Sequence, residues 1–118
     1  LSRSFASGRP ETLESINTIA DSLGAPMALA ESMALARENV DELITIPDSL
    51  MADTMLLMRH TLNIVAEPAC TASLGSVLGP LRKRAAGKRV GVLACGSNIG
   101  PERFDAYTSG ASLPMPPA

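Results

Sequence analysis

The residues best placed to do chemistry are Cys95-Gly96-Ser97-Asn98, a turn of small residues that carries a thiol. An apolar run, residues 90–94, leads into it with strand length and no helical period. Gly96 suits a turn whose backbone needs positive φ. Pro101 then suits the first turn of a helix, with Glu102 well placed for the positive end of its dipole. The expected local structure is a buried strand, a tight turn and a helix start. In an open α/β sheet, ligands gather at the carboxyl ends of strands, so residues 95–98 are the place where chemistry would occur.

Each single signal also has a plainer reading. A cysteine at a strand end is often an inert buried thiol. Glu67, directly before Pro68, reads as a solvated residue at a helix start. His60, the one histidine, has no partner in local sequence and reads as a surface residue. Arg82-Lys83-Arg84 with Lys88-Arg89 reads as a solvated helix end. The two cysteines, Cys70 and Cys95, do not make a disulfide framework, and no Cys/His cluster has metal-ligand spacing. Neither a Walker loop nor GxGxxG is present.

The elements that must position these residues can be read in order. Residues 1–7 are the end of a helix, stopped by Gly8 and Pro10. Residues 11–17 are a loop, and residues 18–26 a short segment closed by Gly24-Ala25-Pro26. Residues 27–40, rich in Ala, Leu and Met, form a helix that buries Met27, Ala30, Met33 and Ala34. Residues 43–46 are a short β-rich run ended by Pro47. Asp48 or Ser49 caps a helix from Leu50 to about Asn63, whose stripe of Met51, Met55, Met58 and Leu62 keeps helical spacing and reads as core. Pro68 opens a helix of small residues that lets another backbone come close, and Gly79-Pro80 breaks it. Residues 81–86 are a basic helical turn, and residues 101–108 a last helix.

Composition bounds the class. The chain has 118 residues and a net charge of −2, so no electrostatic case exists for nucleic acid or an anionic membrane. Hydrophobic residues make up 46% but aromatics only 3%, so the core is aliphatic. No apolar run approaches the ~20 residues that span a bilayer, and nothing at the start resembles a secretory signal. A reduced, cytoplasmic protein is expected. Helices alternating with two or three short strands suggest α/β: a partial open sheet with flanking helices. So few strands, and a first residue Leu1 in place of Met, suggest a piece of something larger.

Taken together and in order, TIADSLGAP (18–26), VDELITIPDSL (40–50), AEPACTASL (66–74) and VGVLACGSNIG (90–100) resemble the C-terminal segment of pyridoxal-phosphate-dependent threonine/serine dehydratases. These are the fold type II enzymes, relatives of serine racemase and the tryptophan synthase β subunit. The family pattern runs TIADG, a Val-Asp element, an EPAGA helix start and an SGGN-like turn. The resemblance covers about residues 8–109. It implies that residues 1–110 are the C-terminal part of the larger cofactor-binding domain; residues 111–118, with three prolines, read as a flexible tail.

The resemblance also implies roles. Cys95 matches the residue whose hydroxyl or thiol meets the pyridine nitrogen of pyridoxal 5'-phosphate. A carboxylate there would hold that nitrogen protonated and make the ring a strong electron sink. A neutral thiol does not, and the positive end of the helix at Pro101 disfavours a pyridinium further. Gly96 lets the turn pass close to the ring. Ser22 and Leu23 match the segment beside the ring, where many relatives have Gly at the position of Ser22. Glu67 matches the acid of the EPAGA element and is expected to orient the Cys95 turn or a water. Cys70 and Thr71 depart from the Gly-Ala of that element. No catalytic residue and no metal ligand is expected on this chain.

The family's Schiff-base lysine, substrate-carboxylate loop and Gly-rich phosphate cup lie upstream of the part matched. Lys83 and Lys88 sit in a basic surface turn, a poor setting for a lysine that must be desolvated. The chain alone is therefore expected to be inactive. It needs the N-terminal remainder of its enzyme, as a separate or a cleaved chain, and a homodimer of whole enzymes is expected. The function implied is an ammonia-lyase acting by β-elimination on L-threonine, L-serine or a similar β-hydroxy amino acid. A racemase of the same family, or a non-catalytic α/β interaction module derived from it, are the alternatives.

Overall fold

Proline and glycine set where the helices start and stop. In the computed structural model, which describes residues 1–113, α1 runs over Ser2–Ser7 and stops at Gly8. A 3₁₀ turn at Asp21–Leu23 precedes α2, Ala30–Asn39. Then come α3 (Asp48–Leu62), α4 (Pro68–Leu78), α5 (Arg82–Ala85) and α6 (Pro101–Thr108). Pro68 and Pro101 each open a helix, where the missing N–H has no partner to lose. The expected tail, 111–118, falls mostly on residues 114–118, which lie outside the described residues. The chain divides into two units, Leu1–Thr45 and Ile46–Ala118.

In the first unit, the Leu13 N–H donates to the Pro26 carbonyl at 2.7 Å, and Thr12 forms an isolated bridge with Met27. That bridge holds Met27 extended, so the helix expected from position 27 starts at Ala30. Its expected buried side is corrected too. Met33 is buried, while Met27, Ala30 and Ala34 are exposed. Arg37 reaches from α2 to α1, where its Nη1 donates to the Phe5 carbonyl at 3.5 Å and its guanidinium stands 5.9 Å from the Phe5 ring centre. The Glu11 N–H donates to the buried Ser4 hydroxyl at 2.9 Å. The Glu11 carboxylate accepts from Arg9 Nε at 3.1 Å, and this bond holds it below its ordinary range.

The second unit is built on α3 and α4. Met51, Met55 and Met58 recur at helical spacing and are all buried, each contributing roughly 1.5–3 kcal/mol by the area it removes from water. Leu62 does not extend the stripe. It is exposed, because α3 ends there and Asn63 turns left-handed at φ 55°. Neither Asp48 nor Ser49 takes the capping position; Pro47 does, and Asp48 lies in the first turn, where its charge favours the helix start. Met58 packs with Ala66, Cys70 and Leu74. The buried Thr71 hydroxyl donates to the Pro68 carbonyl at 2.7 Å within α4 and lies 3.2 Å from the Met51 carbonyl of α3, where the two helices meet. A Cβ on Gly75 would come within 2.9 Å of Ile46 Cδ1 and 3.2 Å of Thr54 Oγ1, so glycine is what lets α4 approach this closely. α6 packs on α3 with Phe104 buried, and beyond it the Ser112 N–H donates to Asp53 Oδ1 at 2.8 Å.

The expected sheet is not formed among the described residues, which are helix-rich. Residues 43–46 and 90–94 lie outside any helix, yet the bridge between Thr12 and Met27 is the only β pairing described. A strand exists only when a neighbouring chain segment takes its N–H and C=O groups. The run at 90–94 was expected to be buried, but Val90 and Leu93 are exposed, Leu93 at 76%.

Candidate functional site

The start of α4, with Glu67 before it, forms one side of the site. Glu67 caps α4, and an N-terminal cap leaves its own N–H without a partner inside the helix. That N–H donates to the carbonyl of Gly96 at 3.3 Å. The turn after residues 90–94 therefore docks on the start of α4 by satisfying one of its free donors.

Gly96 has φ +115°, a conformation that side-chain-bearing residues rarely adopt. A Cβ built there would lie 2.5 Å from Glu67 Oε1 and 2.9 Å from its Cδ. The Glu67 carboxylate thus occupies the space in which a side chain at position 96 would stand. Two independent constraints, the backbone angle and the carboxylate, select glycine at this position.

Cys95, the neighbour of Gly96, is exposed, whereas Cys70, one turn into α4, is buried; both are free thiols. Burial pushes the Cys70 thiol up, and electrostatic interaction with Cys95 and Glu67 pushes it further. Cys70 stays neutral inside the core while Cys95 faces outward. The Cys70 side chain completes the packing with Met58 and Ala66, so the departure from Gly at this position is absorbed by the core.

Approach to Cys95 from the other side is fixed by a residue that the sequence did not single out. The Ser73 hydroxyl donates to the Leu93 carbonyl at 2.6 Å. In sequence Ser73 is one small residue among several, and nothing marks its hydroxyl as the one that leaves the helix.

The structure therefore brings Glu67, Gly96 and Cys95 together within the second unit. Ser22 and Leu23 belong to the first unit, on the 3₁₀ turn, and both are exposed. The Ser22 N–H donates to Asp21 Oδ1 at 2.8 Å, and Ala20 beside them is buried. His60, Lys83 and Lys88 are exposed. Among the described residues, no group of three or more His, Cys, Asp or Glu could hold a metal ion, and no helix is long and apolar enough to cross a membrane.

The exposed Cys95 thiol can donate one hydrogen bond to an aromatic nitrogen while remaining neutral. Gly96 adds no side chain of its own beside it, and the Glu67 carboxylate fills the space on its Cβ side. This is a donor set that fits the edge of a pyridine ring.

Comparison with known proteins bears on the same residues. The family described as pyridoxal-phosphate dependent enzyme matches residues 1–96. A phenylserine dehydratase from Ralstonia pickettii is 41% identical over 102 residues, covering 86% of this chain and 31% of its own length. An L-threo-3-hydroxyaspartate ammonia-lyase from Saccharomyces cerevisiae is 30% identical over 109 residues, covering 92% of this chain and 33% of its own. The processed form of threonine deaminase isoform 2 from Solanum lycopersicum shares the fold at a TM-score of 0.85 and 15% identity, over 95% of this chain and 33% of that one. Maize serine racemase superposes at a TM-score of 0.77 with 26% identity, over 92% of this chain and 35% of that one. The chain spans about a third of the length of the curated relatives it matches.

Proposed function

Because the chain belongs to the pyridoxal-phosphate-dependent enzymes, we propose that it forms the C-terminal part of the cofactor domain of an ammonia-lyase acting on a β-hydroxy α-amino acid. L-Threonine, L-serine or a bulkier analogue is the substrate class. The relatives named for phenylserine, 3-hydroxyaspartate and threonine all take an amino acid with a hydroxyl on Cβ, which supports that class. The overall reaction removes the α-proton and the β-hydroxyl and ends in a 2-oxo acid and ammonia.

Pyridoxal phosphate, when bound, supplies the electron sink that makes the α-proton removable. The work of this chain is to hold the ring edge. Cys95 would donate its S–H to the ring nitrogen and leave that nitrogen without a full positive charge. Gly96 would let the turn pass close to the ring, and Glu67 braces the turn through both its N–H and its carboxylate. A neutral partner at the nitrogen suits elimination, since the β-hydroxyl departs and little negative charge has to be stored.

The observation that carries this reading is the exposed Cys95 thiol on a turn braced by Glu67 through Gly96. The lysine that carries the cofactor and the groups that bind substrate come from the remainder of the enzyme. The lysines of this chain, Lys83 and Lys88, are both exposed. Racemisation is the second reading, favoured by the serine racemases among the relatives, because it begins with the same α-proton removal.

The test is to purify the complete enzyme and record its visible absorption, then assay L-threonine and L-serine for 2-oxo acid, ammonia and the opposite enantiomer. A cofactor band with 2-oxo acid and ammonia supports the ammonia-lyase. A band with enantiomer alone supports the racemase. No band under pyridoxal phosphate saturation contradicts both and leaves a non-catalytic module.

A further inference from the structure

We propose that Ser73 is a positioning residue. Its hydroxyl, turned out of α4 onto the Leu93 carbonyl, fixes how far Cys95 reaches toward the cofactor. The inference rests on the role proposed for Cys95 above. Hydroxyls inside a helix ordinarily bond back to the carbonyl three or four residues earlier. The Thr71 hydroxyl does this to Pro68 at 2.7 Å, and that of Ser76 does it to Ser73 at 2.7 Å. Ser73 departs from its neighbours. The Cys70 carbonyl is 3.5 Å from its oxygen, at the edge of hydrogen-bond range, while the Leu93 carbonyl is 2.6 Å away. A hydroxyl has one proton, and the shorter contact takes it.

The consequence is geometric. Leu93 stands two residues before Cys95, and Gly96 one residue after it. Ser73 holds the first carbonyl and the Glu67 N–H holds the second. Positions 67 and 73 are separated by roughly 9 Å along a helix that rises 1.5 Å per residue. Positions 93 to 96 can span at most about 10 Å when extended. The segment carrying Cys95 is therefore pinned at both ends on one rigid helix with little slack. Removing the Ser73 hydroxyl releases the upstream pin, and the thiol gains freedom to retreat from the ring.

The test uses the complete holoenzyme. Pyridoxal phosphate is removed and titrated back, with the dissociation constant and the visible band as readouts. Ser73→Ala is expected to weaken cofactor binding about fivefold, the scale of one net hydrogen bond, and to shift the band. Ser73→Thr, which keeps the hydroxyl, is expected to restore both. Ser76→Ala removes a bond internal to α4 and is expected to change neither. Should Ser73→Ala not fold, Ser73→Cys, with a weak S–H donor, takes its place with the same expected direction. Wild-type affinity and band in Ser73→Ala, or in Ser73→Cys where it stands in, or an equal loss in Ser76→Ala, would overturn the inference while the wild-type enzyme, still holding its cofactor, upholds the proposed function. A wild-type enzyme that binds no pyridoxal phosphate would remove both.

Discussion

The N–H of Glu67 donates to the carbonyl of Gly96 at 3.3 Å, while the Glu67 carboxylate fills the place of a side chain at position 96. One residue at a helix start thereby fixes both the path and the identity of the residue next to the exposed thiol. The contact joins two motifs that lie almost thirty positions apart in the chain.

Gly96→Ala should accordingly be costly. The substitution forces an L side chain to φ +115° and drives its Cβ into the carboxylate. The expected loss is on the order of 1–3 kcal/mol in chemical or thermal unfolding. Gly110→Ala, where an added Cβ meets nothing within 4 Å, should stay within about 0.5 kcal/mol of wild type. Equal stability of the two variants would show that neither constraint at position 96 is felt.

The difference between what sequence revealed and what it hid follows the range of the interactions. Pro68 and Pro101 were legible as helix openings because they act on their own backbone. The Met51, Met55 and Met58 stripe was legible because helical spacing is local. Met27 was misread because its bridge to Thr12 is made by a residue fifteen positions away. The strand expected at 90–94 has no partner here because pairing requires a neighbour that the described residues do not supply. At the site, the ordered motifs pointed to Glu67, Gly96 and Cys95, but the carboxylate resting on Gly96 is a tertiary fact. Ser73 stayed hidden because a serine in a small-residue helix looks the same whichever way its hydroxyl turns.

Cys70 should make stability fall in alkali. Burial first, then electrostatic interaction with Cys95 and Glu67, raises its thiol above the ordinary range, so the folded state holds the proton more tightly than the unfolded chain. The stabilisation is full below the ordinary thiol pKa and is lost as pH rises through the raised value. Unfolding measured from about pH 8 to about pH 11 should show a downward slope that Cys70→Ala reduces. Alkylation should modify exposed Cys95 well before Cys70. A slope unchanged in Cys70→Ala would assign the alkaline loss to other groups.

Residues 90–94 should be paired in the complete enzyme. They run without helix or ladder among the described residues, with Val90 and Leu93 exposed. Amide hydrogen exchange should be slow there in the complete enzyme and fast in the isolated chain. Fast exchange in both would mean that this segment joins no sheet.

The most direct measurement is the visible absorption of the bound cofactor, followed against pH, in Cys95→Ser and Cys95→Asp forms of the complete enzyme. With the sulfur at the ring nitrogen, Cys95→Ser keeps the wild-type band and activity within about fivefold, the scale of exchanging one neutral hydrogen bond for another. Cys95→Asp places a carboxylate beside that nitrogen, holds it protonated, and shifts both the band and its pH dependence. Identical spectra and identical activity in the two variants would contradict the assignment of Cys95 to the ring.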